Sequence, residues 1–381
     1  MKKIFSNIKH WSSAWYGTFS EELRNIFNDS GVLIVFFVAG LGYPLLFGLI
    51  FKNGTIDDMP IAVVDNSHSL AGREFSRTLD ATPEISAKYH CANMEEAQSL
   101  MRQRKVHGIV MIPEDFGDCL ARGGQAHIST YADMSSFLYY KNLTMGTNMA
   151  MLHEMHRHSG LPQPVRYEAN LPYNRNLSYT IFFIAAVLPI VIQQTMFYGV
   201  SMLSGTMREE NRNMNTSLSG RGAAYWLLYM GIGTYTLSLV PEILGLPQNC
   251  GFGSIFVLLL FYVTACVAFS FTFSSMIRHR ETVFILFLFM SPICLFLTGF
   301  SWPTSSFPEF WKIFSYIFPS TFATRAFINI NSAGAGLGLA VPQLTALAVQ
   351  TIAYYILSNL LLLRTARSKT PALCPGLESG S

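Results

Sequence analysis

Residues 31–51 read GVLIVFFVAGLGYPLLFGLIF, a stretch without a single charged side chain. The hydrocarbon core of a bilayer takes roughly 20 apolar residues of helix, so a run of this length limits the possible folds more than any motif in the chain. Comparable runs recur at 179–203, 223–244, 254–276, 283–300 and 339–363. The expectation is a mainly α membrane protein with six transmembrane helices. Half of the 381 residues are hydrophobic and 13% are charged, about half the charged share of an ordinary soluble domain. The first run begins well inside the chain and lacks a small-residue cleavage site, so 31–51 reads as a retained transmembrane helix 1 rather than a signal peptide. A net charge of +3 gives no basis for nucleic-acid binding.

The basic residues orient the runs. Lys2, Lys3, Lys9 and Arg24 precede the first; Arg208, Arg212 and Arg221 lie between the second and third; Arg278 and Arg280 lie between the fourth and fifth; Arg364, Arg367 and Lys369 follow the sixth. The loop at 247–252 has none. By the positive-inside rule both termini, the loop 204–222 and the tail 364–381 are cytoplasmic. Residues 52–177 then form an extracytoplasmic domain inserted between helices 1 and 2, and helices 2–6 occupy 178–363. Within the insert, PIAVVDN reads as a buried strand, SLAGREFSRTLDA as a helix with Leu70, Phe75 and Leu79 on one face, and 85–90 as a second strand. Asn93 with Glu96 marks the start of another helix, HGIVMIP is a third strand, and AHISTYAD precedes a long helix at 136–158. Strands alternating with helices imply an α/β layer domain.

Within the cytoplasmic N-terminus, 1–30, Trp15, Tyr16, Phe19, Leu23, Ile26 and Phe27 share one helical face, with Glu21, Glu22, Arg24, Asn25 and Asn28 on the other. This is the pattern of an amphipathic interfacial helix lying against membrane lipid; a helix packed on protein is the alternative. The segment 300–332 is aromatic and broken by Pro303, Pro308 and Pro319, which reads as short, re-entrant-type helices at the outer leaflet or an amphipathic surface loop. Cys91 and Cys119 both fall in the insert, where an oxidising compartment would permit a disulfide if their spacing allows. His153 and His156 could share a metal on one helix face, or could be plain surface histidines; the second reading is preferred.

Three stretches, VVDNSHSLAGREFSRTLDATPEI (63–85), GIVMIPEDFGDCLARGGQAHISTYADMSS (108–136) and GFSWPTSSFPEFWKIFSYIFPSTFATRAF (299–327), complete a layout that covers nearly the whole chain. It resembles the bacterial ABC-2-type transporter permeases, and within them the multidrug-exporter-like subgroup with a large extracytoplasmic domain between helices 1 and 2. The resemblance implies a multi-pass subunit of the bacterial inner membrane, a homodimer or a heterodimer with a sister permease, and a separate ABC ATPase as partner. It also implies that the loop between helices 2 and 3 docks on that ATPase.

The chemistry of the chain agrees with a divided machine. A phosphate-binding loop needs Gly-Lys, and none of the lysines follows a glycine. No cofactor is expected in this chain; ATP-Mg belongs on the partner, and the chain is a transporter subunit rather than an enzyme. The ATPase-coupling candidates are Arg208, Glu209, Glu210 and Arg212, with Arg278 and Arg280 as a second contact; a solvated loop that merely sets orientation is the bland alternative. For the translocation path the candidates are Gln193, Gln194 and Tyr198 in helix 2 and Met290 and Thr298 in helix 5, since polar groups inside spans mark pathways. Gln193 and Gln194 are adjacent, so they point about 100° apart and at most one faces a path. Charge-poor, aromatic spans favour export of an amphipathic drug-like or lipid-like compound. The external domain would close the exit or dock a partner such as a periplasmic adaptor. A membrane-anchored receptor or assembly scaffold remains the rival reading. A secondary transporter is disfavoured because no internal repeat or ionisable relay is visible.

Overall fold

The computed structural model describes residues 2–51, 56–159, 179–210, 218–299, 302–332, 334 and 336–368, and the fold is mostly helical. An N-terminal helix, α1 (Lys2–Asn28), leads into an apolar helix that runs as α2 (Ser30–Leu33), a π-helical turn (Ile34–Ala39) and α3 (Gly40–Ile50). There follow β1 (Met59–Asp65), α4 (Leu70–Asp80), β2 (Ile85–Cys91), α5 (Met94–Arg102), β3 (Gly108–Ile112), α6 (Phe116–Ala121), β4 (Ser129–Ala132) and α7 (Phe137–Ser159). The chain continues through α8 (Tyr179–Glu209) and α9 (Leu218–Thr234), which passes through a second π turn (Tyr235–Leu239) into α10 (Val240–Ile243). It ends with α11 (Phe252–Ser274), α12 (Thr282–Leu297), α13 (Glu309–Ser315), α14 (Pro319–Phe327) and α15 (Leu337–Ser368). Two compact units result: Met1–Gly54 with Leu171–Ser381, and Thr55–Asn170.

The Thr55–Asn170 unit is built on a four-stranded sheet of order β2-β1-β3-β4, with β1 parallel to both β2 and β3 and β4 antiparallel to β3. Central parallel strands are covered on both faces, which is why β1 is apolar at nearly every position. Met59, Ile61 and Val63 face a layer holding Phe75, Leu79, Phe116 and Leu143, contributed by α4, α6 and α7. Ala62 and Val64 face Ala97 of α5, with Val106 and Cys91 beside them. The helix starts are capped as their sequences suggest. Ser69 Oγ accepts from Gly72 N at 3.0 Å, and Asn93 Oδ1 accepts from Glu96 N at 2.9 Å while Glu96 reaches back to Ala92 N. Leu70, expected on the buried face of α4, is exposed because it sits in the first turn, ahead of the stripe formed by Phe75 and Leu79. Cys91 and Cys119 are free thiols; Cys91 packs on the α5 side of the sheet and Cys119 belongs to α6 on the other, so the sheet separates them.

Among the described residues of the other unit, five helices are long and apolar enough to cross a membrane: Ser30–Ile50, Phe183–Glu209, Leu218–Ile243, Phe252–Ser274 and Leu337–Leu362. The fifth apolar run, 283–300, gives a helix shorter than its sequence suggested. α12 ends at Leu297 because Gly299 takes a left-handed φ of +81°, a conformation that stops a helix and that glycine adopts at little cost. Its 16 residues give about 24 Å of helix. Beyond it Pro303 caps a 3-10 turn, Pro308 caps α13 and Pro319 opens α14, each proline standing at a helix start where its missing N–H costs nothing. Helix α8 is nearly enclosed by the others, whereas the helices Ser30–Ile50 and Leu337–Leu362 keep most of their apolar surface outward.

Candidate translocation and coupling site

The site is organised around α8. At one end of the bundle, hereafter the basic end, α8 finishes in Thr206, Arg208 and Glu209, close to the loop that joins α11 to α12. Arg208 donates from its guanidinium to the Ile277 carbonyl. Glu209 Oε1 accepts from Arg280 N at 3.0 Å, with His279 Nδ1 3.6 Å away. The Arg280 side chain donates to Thr206 Oγ1 at 2.7 Å and forms a bidentate pair with Asp29 at 2.7 and 2.8 Å. Asp29 is itself the N-cap of α2, accepting from Gly31 N and Val32 N. Partial burial would raise its pKa, but the Arg280 pairing and the two backbone N–H bonds outweigh that and hold the carboxyl below its ordinary range; the Asp29 carboxylate in turn raises the Arg280 guanidinium. Two helices and a loop are thus tied at one point: the start of α2, the end of α8 and the 276–281 loop.

A second tie lies beside it. Arg221, at the start of α9, has Nε 3.1 Å from Glu22 Oε2 and donates from Nη2 to Oε1 at 3.1 Å. Tyr225 OH donates to the same carboxylate at 2.7 Å, and the Arg221 guanidinium lies 5.3 Å over the Phe271 ring. Arg221 is 2% and Glu22 3% exposed, so the pair is fully desolvated. The buried stripe of α1 is therefore Thr18, Glu22 and Ile26, and not the aromatic face; Tyr16 and Phe27 point outward. Gly220 permits the close approach, since a Cβ there would stand 3.0 Å from Thr18 Cβ and 3.1 Å from the Trp15 carbonyl.

Two cavities flank α8 deeper in the bundle. One, of about 610 Å³, lies between α8, the α2–α3 helix and α12. The other, of about 530 Å³, lies between α8, α11, α12, α13 and the residues just before α14. Gln194 and Tyr198 line both and so form the partition between them; Gln193 and Met290 line the second. Thr298 lines neither, and its hydroxyl is spent on the Leu295 carbonyl at 2.7 Å. The adjacent glutamines diverge. Gln193 Oε1 accepts from Ser320 N at 2.6 Å, satisfying the first turn of α14. Gln194 Oε1 accepts from Ser291 Oγ at 2.6 Å, while its amide nitrogen has no hydrogen-bond acceptor beyond the thiol of Cys294, a weak one.

Of the coupling residues read from the sequence, Arg208, Glu209 and Arg280 come together; Glu210 and Arg278 are exposed nearby; Arg212 lies outside the described residues. Asp29, Glu22, Thr206 and Ser291 were missed. Only Asp29 carried a usable signal, as an N-cap residue directly before an apolar run. Among the described residues no group of three or more His, Cys, Asp and Glu stands close enough to hold a metal ion.

Over residues 30–360 the chain matches the model of the ABC-2 family transporter proteins, which takes in the residues of the two ties except Glu22 and Asp29. The chain belongs to the ABC-2 transporter family. Comparison with curated proteins finds no match. An ABC-2 permease is a multi-pass transmembrane subunit that works with a separate ABC ATPase, so in this ABC-2 permease the features to explain are a path for solute and a means of receiving force.

Proposed function

We propose that this chain is the permease subunit of an ABC exporter, with six helices in a bacterial inner membrane. Both termini and the basic end lie in the cytoplasm, and the Thr55–Asn170 unit is extracytoplasmic, as in the multidrug-exporter-like subgroup. α12 is the fifth span, completed by the short helices that follow it at the outer leaflet. The chain pairs with a second copy or a sister permease, and the ATPase partners hydrolyse Mg-ATP. The substrate is an amphipathic drug-like or lipid-like compound that passes between helices at the level of Gln194, Tyr198 and Met290.

The observation that supports this reading best is the joint at the end of α8. Arg208, Glu209 and Thr206 are bonded to a loop that holds Asp29 through Arg280. A motor pressing on 204–222 moves α8 and, through that joint, the starts of α2 and α12. These are the walls of the first cavity. Glu210 and Arg212 are then the docking charges, and Arg208, Glu209 and Arg280 the transmission.

Gentle detergent extraction from the native host, with identification of co-purifying proteins and an assay of vanadate-sensitive ATP hydrolysis, tests it. The expected result is a stoichiometric ATPase. The Glu210→Ala and Arg212→Ala pair lowers ATPase recovery, whereas Arg208→Ala and Glu209→Ala leave the ATPase bound but abolish substrate-stimulated turnover. No ATPase, together with a ligand bound by the Thr55–Asn170 unit, would replace the exporter with a receptor or scaffold.

A further inference from the structure

The arginines at the basic end do not share one fate. Arg208 donates to a carbonyl, Arg221 is clamped by Glu22, and Arg280 by Asp29. Arg278 has no hydrogen-bond or ion-pair partner among the described residues, yet it lines the 530 Å³ cavity together with Thr282. The rest of that cavity is apolar and aromatic, walled by Phe269, Phe273, Leu286, Phe314 and Phe318, until it reaches Gln194 and Cys294 at the far end. From Thr282 to Cys294 the cavity follows one face of α12 over 13 residues, about 18 Å of helix. Its volume falls within the roughly 300–1,000 Å³ typical of small-molecule sites. At the depth of Gln194 the amide nitrogen described above has only the weak Cys294 thiol as an acceptor among the described residues.

A cation at the mouth of an apolar slot selects by charge as well as by shape. Low-dielectric walls focus its field along the slot, and a planar guanidinium that meets no partner among the described residues matches a carboxylate, sulfate or phosphate bidentately. A neutral or cationic ligand would leave Arg278 unmatched at the entrance. We propose that this cavity binds a single-chain amphipath with an anionic headgroup, the headgroup paired with Arg278 and the apolar body running along α12 towards Gln194. As a site for exported substrate it rests on the exporter reading, and it removes Arg278 from the residues that meet the ATPase. Thr282, at the same mouth, supplies a hydroxyl within the headgroup region.

The test is equilibrium binding of spin-labelled palmitate to the full chain in nanodiscs of zwitterionic lipid, read as the immobilised fraction. The methyl ester and a trimethylammonium-headed analogue of the same chain serve as matched probes. The carboxylate binds saturably and more weakly as salt rises; Arg278→Gln lowers affinity about tenfold or more while Arg278→Lys keeps most of it. Met290→Trp, which fills the cavity from α12, abolishes binding without touching the charge. Equal binding of the methyl ester, or unchanged affinity in Arg278→Gln and Met290→Trp, overturns the proposal. No ATPase enters this measurement. Saturable binding without any co-purifying motor would therefore sink the exporter reading and leave the site standing, and a motor without charge-selective binding would do the reverse.

Discussion

The Glu22–Arg221 pair is a costly residue-level feature of the bundle, because both charges are buried. Two charges that leave water lose several kcal/mol of solvation each, and their attraction, with the Tyr225 hydroxyl and the Phe271 ring, has to repay it. Removing one member leaves the other buried and unmatched. Glu22→Leu alone should lower stability by about 3–5 kcal/mol, and Glu22→Leu with Arg221→Met should recover most of that; unfolding by denaturant in detergent micelles measures both. A double variant as weak as the single one would mean that the pair does more than neutralise itself. Asp29 makes a different statement because its pairing is only partly buried. The folded chain holds the Asp29 carboxyl below its ordinary range, so the unfolded chain binds that proton more readily and stability rises with pH across the window. The contribution is complete above about pH 4, the unfolded aspartate value, and is lost as pH falls through the lower folded value. Asp29→Asn keeps the cap and loses the ion pair, so the stability gap between wild type and variant should be constant from pH 5 to 8 and close in more acid solution.

At the scale of elements, helix contacts are set by where side chains are missing. The Phe36 ring, in the π turn of the first span, occupies the space over Gly199 of α8, where a Cβ would stand 1.9 Å from Phe36 Cε1. The ring also meets Tyr229 of α9 edge-on at 5.1 Å, so it joins three helices. Gly199→Ala should therefore cost about 1–3 kcal/mol by overpacking, and Phe36→Leu in the same chain should return part of it; thermal unfolding of the three variants decides. The apolar runs were legible because length and charge alone define them, and the starts of α5, α13 and α14 because Asn93, Pro308 and Pro319 act locally. What was not legible depends on partners remote in sequence. Glu22 looks like a solvated residue on the polar face of α1 until Arg221, 199 positions on, is placed against it. Arg280 resembles any loop arginine that obeys the positive-inside rule, and only the fold brings it to Asp29. The early end of α12 hinged on Gly299, whose left-handed backbone no hydropathy pattern reveals.

At the scale of the whole molecule, the chain carries two kinds of core that draw on different physics. The helices of the larger unit have apolar outer surfaces that need lipid or protein around them, since water would penalise residues such as Phe284, Leu288 and Phe289. The Thr55–Asn170 unit closes both faces of its sheet with its own helices, α4, α6 and α7 on one side and α5 on the other. Its core includes Phe75, 1% exposed, tilted against Phe116 at 5.7 Å. Among the described residues that core is filled by the unit's own strands and helices, so the unit should fold when expressed alone as residues 55–170. The expected outcome is a single cooperative urea transition with a slope of about 1–3 kcal/mol per molar, and a loss of about 3–5 kcal/mol for Phe75→Ala. The same substitution in the full chain should leave the Arg278-dependent binding of palmitate unchanged, because the cavity lies wholly within the other unit. A fragment that shows helical and strand signals but no cooperative transition would mean that the sheet needs the rest of the chain to hold its packing.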